Sequence, residues 1–358
     1  MTDTGPKVRA DVLAVPAYSG TELPDPAPGE IKLNSNENLF GPSPKVDAAI
    51  RAEVARGHLH YYPAIEARDL NEALIAHFGL AANSVLTMGG GELVLPSILQ
   101  SYVDPGAQTL SFDDGFPKYR NYSLMAGAEQ ITVPREGDAV AQILAAVTPQ
   151  TQAVLIDNPG NPSGRLLPIE QLRALREALR PDILLVLDEA YVEFSDFGDA
   201  GLALAQDRKD VLVVRTFSKA YALAGLRIGW MTGHPGLIAP LRRVVPSFPI
   251  SRPSMAAALA ALDDQAHLKR NVAEMRRLRN ITTSRLNAAG WQVGPCEGNF
   301  VLIQPGQHSV ADLNAAFDTL TNGGVLVRPL PDVRGQPALR MTIGRAEDMA
   351  RVWGLLGI

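Results

Sequence analysis

The chain has 358 residues, 46% of them hydrophobic, and its 33 basic and 38 acidic side chains leave a formal net charge of −5. That material suits about two globular domains and excludes disorder, a coiled coil or a disulfide-stapled miniprotein. Lys and Arg are scattered rather than gathered into a stripe, which argues against nucleic acid as a partner. Cys296 is the only cysteine, so no intrachain disulfide forms, no metal-ligand cluster is expected, and a reducing cytoplasm is the expected location. The N-terminus has no apolar core of signal-peptide length, and the densest apolar stretch, 255–262, is mostly alanine and too short to span a bilayer. We therefore expect a soluble chain without a membrane partner.

In chain order, the first 45 residues are rich in Pro, Gly and Asn and read as an extended arm. Short aliphatic runs then alternate with helix-like stretches, at 85–88, 109–112, 130–133, 153–156, 183–187, 211–214 and 227–231. Several are apolar throughout, as strands covered on both faces are. Between two of them, Ile169, Leu172, Leu175 and Leu179 mark a crossover helix that opens after Pro168. A longer helix is predicted over 267–289, closed by Gly290, followed by strands at 299–303, 324–328 and 339–343. The expected fold is α/β: a large domain, 46–246, with a mainly parallel seven-stranded sheet covered by helices. A smaller α+β domain is expected from 1–45 together with 247–358.

Polar residues follow the ends of successive strands. Ligands of open α/β sheets bind outside the carboxyl ends of the strands, so such residues converge even when far apart in sequence. Asn161 lies in NPGNPSG, Asp188 and Tyr191 in DEAYVEF, Ser218 and Lys219 after VLVVRTF, and Arg227 in SKAYALAGLRIGW. A turn of Gly89, Gly90 and Gly91 follows the strand at 85–88. This set supplies what a pyridoxal-phosphate site needs: a lysine for a Schiff base, an aspartate for the ring nitrogen, and Asn and Tyr for the phenolic oxygen. Arg227, Ser218 and the glycine-turn amides suit a phosphate dianion.

Each element also has an ordinary reading. Glycine turns are mostly only turns, Asp caps helices, Ser-Lys pairs are mostly solvated, and Asn before Pro starts turns. Order and spacing outweigh these, with Asp188 27 residues after Asn161 and Lys219 31 after Asp188. The six histidines show no metal-binding spacing, and Cys296 reads as a bystander.

With NSNENLFGPSP, YYP, GGGE, NPGNPSG, DEAYVEF, TFSKAYALAGLRIG, NFVL and LRMTIG in this order, the chain resembles fold-type I pyridoxal-phosphate aminotransferases, and among them the histidinol-phosphate aminotransferase group. The resemblance implies an aspartate-aminotransferase-like fold and a homodimer with shared active sites. It implies catalytic roles for Lys219 (aldimine lysine and acid/base), Asp188 (ring nitrogen) and Tyr191. Cofactor contacts would come from Gly90, Gly91, Phe116 (stacked on the ring), Asn161, Thr216, Ser218 and Arg227, with Tyr62 reaching the phosphate of the neighbouring subunit. Arg340 would grip a substrate carboxylate, and Tyr18, Asn38 and Arg328 are left for a substrate phosphate. Arg328 reads equally well as an ion-pair partner inside the small domain.

The family pattern is not kept everywhere. The glycine turn reads Gly89-Gly90-Gly91-Glu92, which leaves a carboxylate missing near the cofactor phosphate. Leu39 stands where the family has Pro, 247–251 reads SFPIS, and Phe116 lacks a hydroxyl. A less polar entrance fits an aromatic amino acid as readily as a phosphate ester. The expected activity is ping-pong transamination of histidinol phosphate, the amino donor, with 2-oxoglutarate, the 2-oxo acid acceptor. An aromatic aminotransferase is the alternative, with a threonine-phosphate-type decarboxylase behind it.

Overall fold

The structure, a computed structural model, describes residues 6–16 and 26–358. After a two-residue strand, β1 (Ile31–Lys32), the apolar runs become β2 (Val85–Met88), β3 (Gln108–Phe112), β4 (Glu129–Val133), β5 (Thr151–Asp157), β6 (Leu184–Asp188), β7 (Val211–Thr216) and β8 (Gly229–Thr232). They form one sheet in the order β2-β8-β7-β6-β5-β3-β4. Only β8 runs antiparallel to its neighbours. Residues of β5, β6 and β7 alternate between two cores, which is why these strands are apolar throughout. Val154, Ile156, Leu185 and Leu187 face one core, and Leu155, Val186, Leu212 and Val214 face the other.

The helices before residue 246 are α1 (Ala10–Ala14), α2 (Pro44–Ala55), α3 (Arg68–Phe78), α4 (Gly91–Tyr102), α5 (Tyr119–Met125), α6 (Ala139–Ala146), α7 (Ile169–Ala178), α8 (Ala200–Asp207) and α9 (Pro235–Leu241). Leu70 and Leu74 of α3 and Leu172 and Leu175 of α7 fill the first core. Ile98 and Leu99 of α4, Tyr119 and Tyr122 of α5 and Leu241 of α9 fill the second. Ser43 starts α2 by accepting the Lys45 N–H, with Pro44 in the first turn where its missing N–H costs nothing.

Beyond 246, α10 (Arg252–Asp263) packs against α2. The long α11 (Gln265–Ala288), capped by Asp264, leads to a second sheet. Its strands are β9 (Gln292–Val293), β10 (Phe300–Gln304), β12 (Arg328–Val333) and β13 (Gln336–Thr342), all antiparallel in the order β12-β13-β10-β9. Between them stand α12 (Val310–Asn322) and β11 (Val325–Leu326), and α13 (Ala346–Leu356) closes the chain.

Two expectations change. The arm is not extended throughout, because 8–14 contain neither Pro nor Gly and α1 forms there against α5. The single strand expected at 324–328 is two: β11 pairs parallel with β1, and after Val327 the chain turns to pair with β13. Pro329 and Pro331 fit β12 because it is an edge strand. Among the described residues no helix is long and apolar enough to cross a membrane.

Candidate active site

Strand order reverses at β5, which has β6 on one side and β3 on the other. A crevice opens beyond the carboxyl ends at such a point, and here it is a cavity of about 570 Å3. Phe116, Asn161, Asp188, Tyr191, Ser218 and Lys219 line it.

Lys219 Nζ donates to the Ser35 carbonyl at 3.2 Å and lies 5.6 Å from the Tyr191 ring centre. Burial pulls its amine down to about 8, helped by the nearby guanidinium of Arg340. An amine so close to neutrality both accepts and returns a proton. Asp188, at the end of β6, accepts the Tyr119 hydroxyl at 3.0 Å and the Ala190 N–H at 3.2 Å. Burial, and then the charge of Asp157, pushes its carboxyl up to about 7. The Tyr191 hydroxyl accepts from Asn36 Nδ2 at 2.9 Å, and burial pushes it up to about 12.

One end of the cavity is shaped by glycine. A Cβ on Gly229 of β8 would lie 2.6 Å from Gly90 C and Gly91 N, and a Cβ on Gly90, whose φ is +91°, would lie 2.7 Å from Arg227 Nη2. The turn therefore presses against β8 and opens α4; the Gly90 N–H is taken by the Met88 carbonyl at 2.7 Å, so the expected anion contact falls to Gly91, which lines the cavity at the start of α4. Thr216 Oγ1 accepts the Ser218 N–H at 3.0 Å and lies 2.9 Å from Ser218 Oγ. At the other end, Arg328 and Arg340 are cross-strand partners on β12 and β13. Arg340 donates to Asn161 Oδ1 at 2.6 Å and to the Asn34 carbonyl at 3.0 Å. Arg328 lines the same cavity, and its side chain makes no ion pair or hydrogen bond among the described residues.

One further expectation needs correction. Asn38 does not line the cavity: its Nδ2 donates to the Ala220 carbonyl and its Oδ1 accepts the Phe40 N–H, which leaves it a loop-stabilising role. The position of the missing carboxylate is Gly91; its neighbour Glu92, in the first turn of α4, lines the cavity with Oε2 3.7 Å from Arg227 Nη2, and pairs with Lys118. Tyr62 is away from its own chain's cavity, 77% exposed and stacked on Phe248. Tyr18 lies outside the described residues. Cys296 is buried with its thiol pushed up to about 11, in keeping with a bystander.

Sequence reasoning passed over Tyr119 and Asn36, which hold Asp188 and Tyr191. Tyr119 stands three residues after Phe116, the spacing that brings side chains to one face of a helical turn, and that was its only signal.

The family description "aminotransferase class I and II" matches residues 28–354. A histidinol-phosphate aminotransferase of Paramagnetospirillum magneticum is 36% identical over 96% of both chains. The crystal structure of histidinol-phosphate aminotransferase from Sinorhizobium meliloti in complex with pyridoxal-5'-phosphate superposes with a TM-score of 0.83 at 31% identity, covering 91% of this chain and 89% of that one. The chain belongs to the class I and II aminotransferases. An aspartate aminotransferase from Thermus thermophilus shares the fold, with a TM-score of 0.78 at 24% identity over 92% of this chain and 91% of that one.

Enzymes of this family use pyridoxal phosphate, and the cavity fits it. Asp188 is a buried carboxyl that no cation pairs with among the described residues, since nearby Arg135 is held by Asp114 and Asp157. A protonated pyridine nitrogen is the partner it lacks. The glycine cradle with Arg227 and Ser218 suits the phosphate dianion, Phe116 offers a ring face, and Lys219 offers the amine.

Proposed function

We propose that this aminotransferase moves the amino group of histidinol phosphate to 2-oxoglutarate in two half-reactions. The observation that carries the donor is the pair of arginines on adjacent strands. Arg340 is oriented by Asn161 and suits a carboxylate, whereas the Arg328 side chain lines the cavity with no partner among the described residues and suits a phosphate monoester. The names of the relatives support the same donor.

Pyridoxal phosphate, when bound, supplies an electron sink that stabilises negative charge on the carbon bearing the donor's amino group. Asp188 keeps that sink effective by holding the ring nitrogen protonated. Lys219 Nζ takes the proton from the donor carbon and, as the ammonium, gives it up again. Tyr191, bonded to Asn36, and Asn161 orient the phenolic edge. Arg340 receives the carboxylate of 2-oxoglutarate for the return half-reaction.

The active unit in this reading is a homodimer in the cytoplasm. Its support is an apolar surface of exposed Leu59, Tyr62, Ile65, Leu93 and Phe248. The segments carrying it are tied together by the Glu66 N–H to Ser247 carbonyl bond and the Tyr62–Phe248 stack. Leu93 belongs to the first turn of α4, beside the phosphate cradle. A second copy covering this surface brings its Tyr62 to that cradle. A division into a large domain at 46–246 and a small one from 1–45 with 247–358 is supported by the two sheets and by β1 joining β11.

Mixing the cofactor-loaded enzyme with single donors and following the visible cofactor band tests the donor. Histidinol phosphate should discharge the band, with phenylalanine and tyrosine at least ~100-fold slower, a margin that one charged contact supplies. The opposite ranking, favoured by the apolar wall of Phe116 and Leu330, would make this an aromatic aminotransferase. Carbon dioxide release without a keto product would make it a decarboxylase.

A further inference from the structure

Behind the cavity floor lies a buried charge cluster that the chemistry above does not use. Arg135, in the loop after β4, is 4% exposed. Its Nε donates to Asp114 Oδ1 at 2.8 Å, its Nη2 to Asp157 Oδ1 at 2.6 Å, and its Nη1 to the Asp157 carbonyl at 3.1 Å. The guanidinium lies 4.4 Å from the Phe112 ring centre. Two glycines make room for it: a Cβ on Gly115 would lie 3.0 Å from Asp157 Oδ1, and one on Gly160 would lie 2.9 Å from Arg135 Nη2.

The contacts continue to the reacting groups. Asp157 Oδ2 accepts the Asn161 N–H at 2.7 Å, and Asn161 Oδ1 accepts from Arg340 at 2.6 Å. Asp114 precedes Phe116 by two residues, so the same guanidinium holds the loop that presents the aromatic face. Asp157 and Asp188 are register partners on β5 and β6, which sets a second carboxylate beside the one meant for the ring nitrogen.

We propose that Arg135 is a positioning residue of this aminotransferase: clamped between Asp114 and Asp157, it fixes the loops of Phe116 and Asn161, aims Arg340 through Asn161, and offsets the charge of Asp157 beside Asp188. The proposal rests on the site holding pyridoxal phosphate and is independent of the amino donor. The titratable groups around Asp188 are Asp157 on β5, Tyr119 and Tyr122 on α5, and Glu189 and Tyr191 on its own strand end, with Arg135 acting through Asp157. Among them, only Asp157 has its charge balanced by Arg135.

The test uses apoprotein of wild type, Arg135→Met, Asp157→Asn and the double variant, titrated with pyridoxal phosphate from acid to alkaline pH, with KM for 2-oxoglutarate measured on the reloaded enzymes. Asp188 holds the ring nitrogen ionically only while it is a carboxylate, so cofactor affinity falls on the acid side. In Arg135→Met the uncompensated Asp157 should move that acid limb up by about one pH unit. KM should rise about tenfold, with a smaller change in kcat. Asp157→Asn should move the limb down, and the double variant should bind cofactor better than Arg135→Met. An acid limb that stays at its wild-type position in the single variants, or a double variant no better than Arg135→Met, overturns the proposal. Should Arg135→Met fail to fold, the downward shift in Asp157→Asn decides. Wild-type apoprotein that takes up no cofactor would instead overturn the cofactor site itself.

Discussion

Asp188 shows at the scale of one residue how the site trades stability for chemistry. Its carboxyl has an ordinary pKa of 3.8 and is pushed up to about 7 in the fold. Above pH 7 the apoprotein therefore holds a buried charge that unfolding would return to water, and below about pH 4 both states are protonated and the cost is absent. Apoprotein stability should fall as pH rises from about 4 to 7 on account of this group. Asp188→Asn removes the charge, so its apoprotein should melt above wild type at pH 8 and level with it at pH 4. Its turnover should drop at least ~100-fold, because a neutral amide cannot hold a protonated ring nitrogen. Thermal melts at the two pH values check the sign, and a variant that melts no higher at pH 8 refutes it. Asp188 and Lys219 were legible in the sequence because the first ends an apolar strand and the second stands three residues after one. Tyr119 was not legible, because an aromatic residue in a helix reads as core, and it is core apart from its one hydroxyl.

At the scale of elements, strands buried on both faces announce themselves as unbroken apolar runs, so all seven strands of the large sheet could be placed within a few residues. The split of 324–328 into β11 and β12 could not be seen. Both halves have strand composition, and the partner that claims the first half, β1, lies almost 300 residues earlier. Asn38 misled for a related reason: motif position placed it at the cavity, and only the folded loop shows its amide bonded to Ala220. The meeting of β8 with the glycine turn gives a sharper test. A Cβ on Gly229 meets backbone atoms 2.6 Å away, which cannot swing aside as a side-chain tip can. Gly229→Ala should therefore weaken cofactor binding about tenfold or more and cost about 1–3 kcal/mol of stability. Gly294→Ala, where nothing lies within 4 Å, should change neither. Cofactor titration and denaturant unfolding of the two variants separate these outcomes.

For the whole molecule, the phosphate end of the cavity is open to water: the side chains of Arg227 and Glu92 are about half exposed, at 49% and 50%. An ionic contact so open to water holds an anion weakly until something covers it. Exposed Phe248 precedes Pro249, whose carbonyl lies 3.7 Å from where a Cβ on Gly89 of the glycine turn would stand, and exposed Tyr62 stacks on Phe248. If a second copy supplies the cover, two defective chains can repair each other. Lys219→Ala lacks the reacting amine, and Tyr62→Ala lacks the group lent across the interface. In a mixed dimer, the site built around the Tyr62→Ala chain keeps its own Lys219 and receives Tyr62 from the Lys219→Ala chain, so it is whole. The other site carries both defects. At a cofactor concentration that leaves the Tyr62→Ala homodimer mostly empty, unfolding and refolding the two variants together should therefore restore activity that neither has alone. For an equimolar random mixture, half of the dimers are mixed and each has one of its two sites intact, so recovery should approach about a quarter of wild type. If Tyr62 served its own chain, each site of the mixed dimer would keep one defect, and the refolded mixture would show no more activity than the two variants refolded apart.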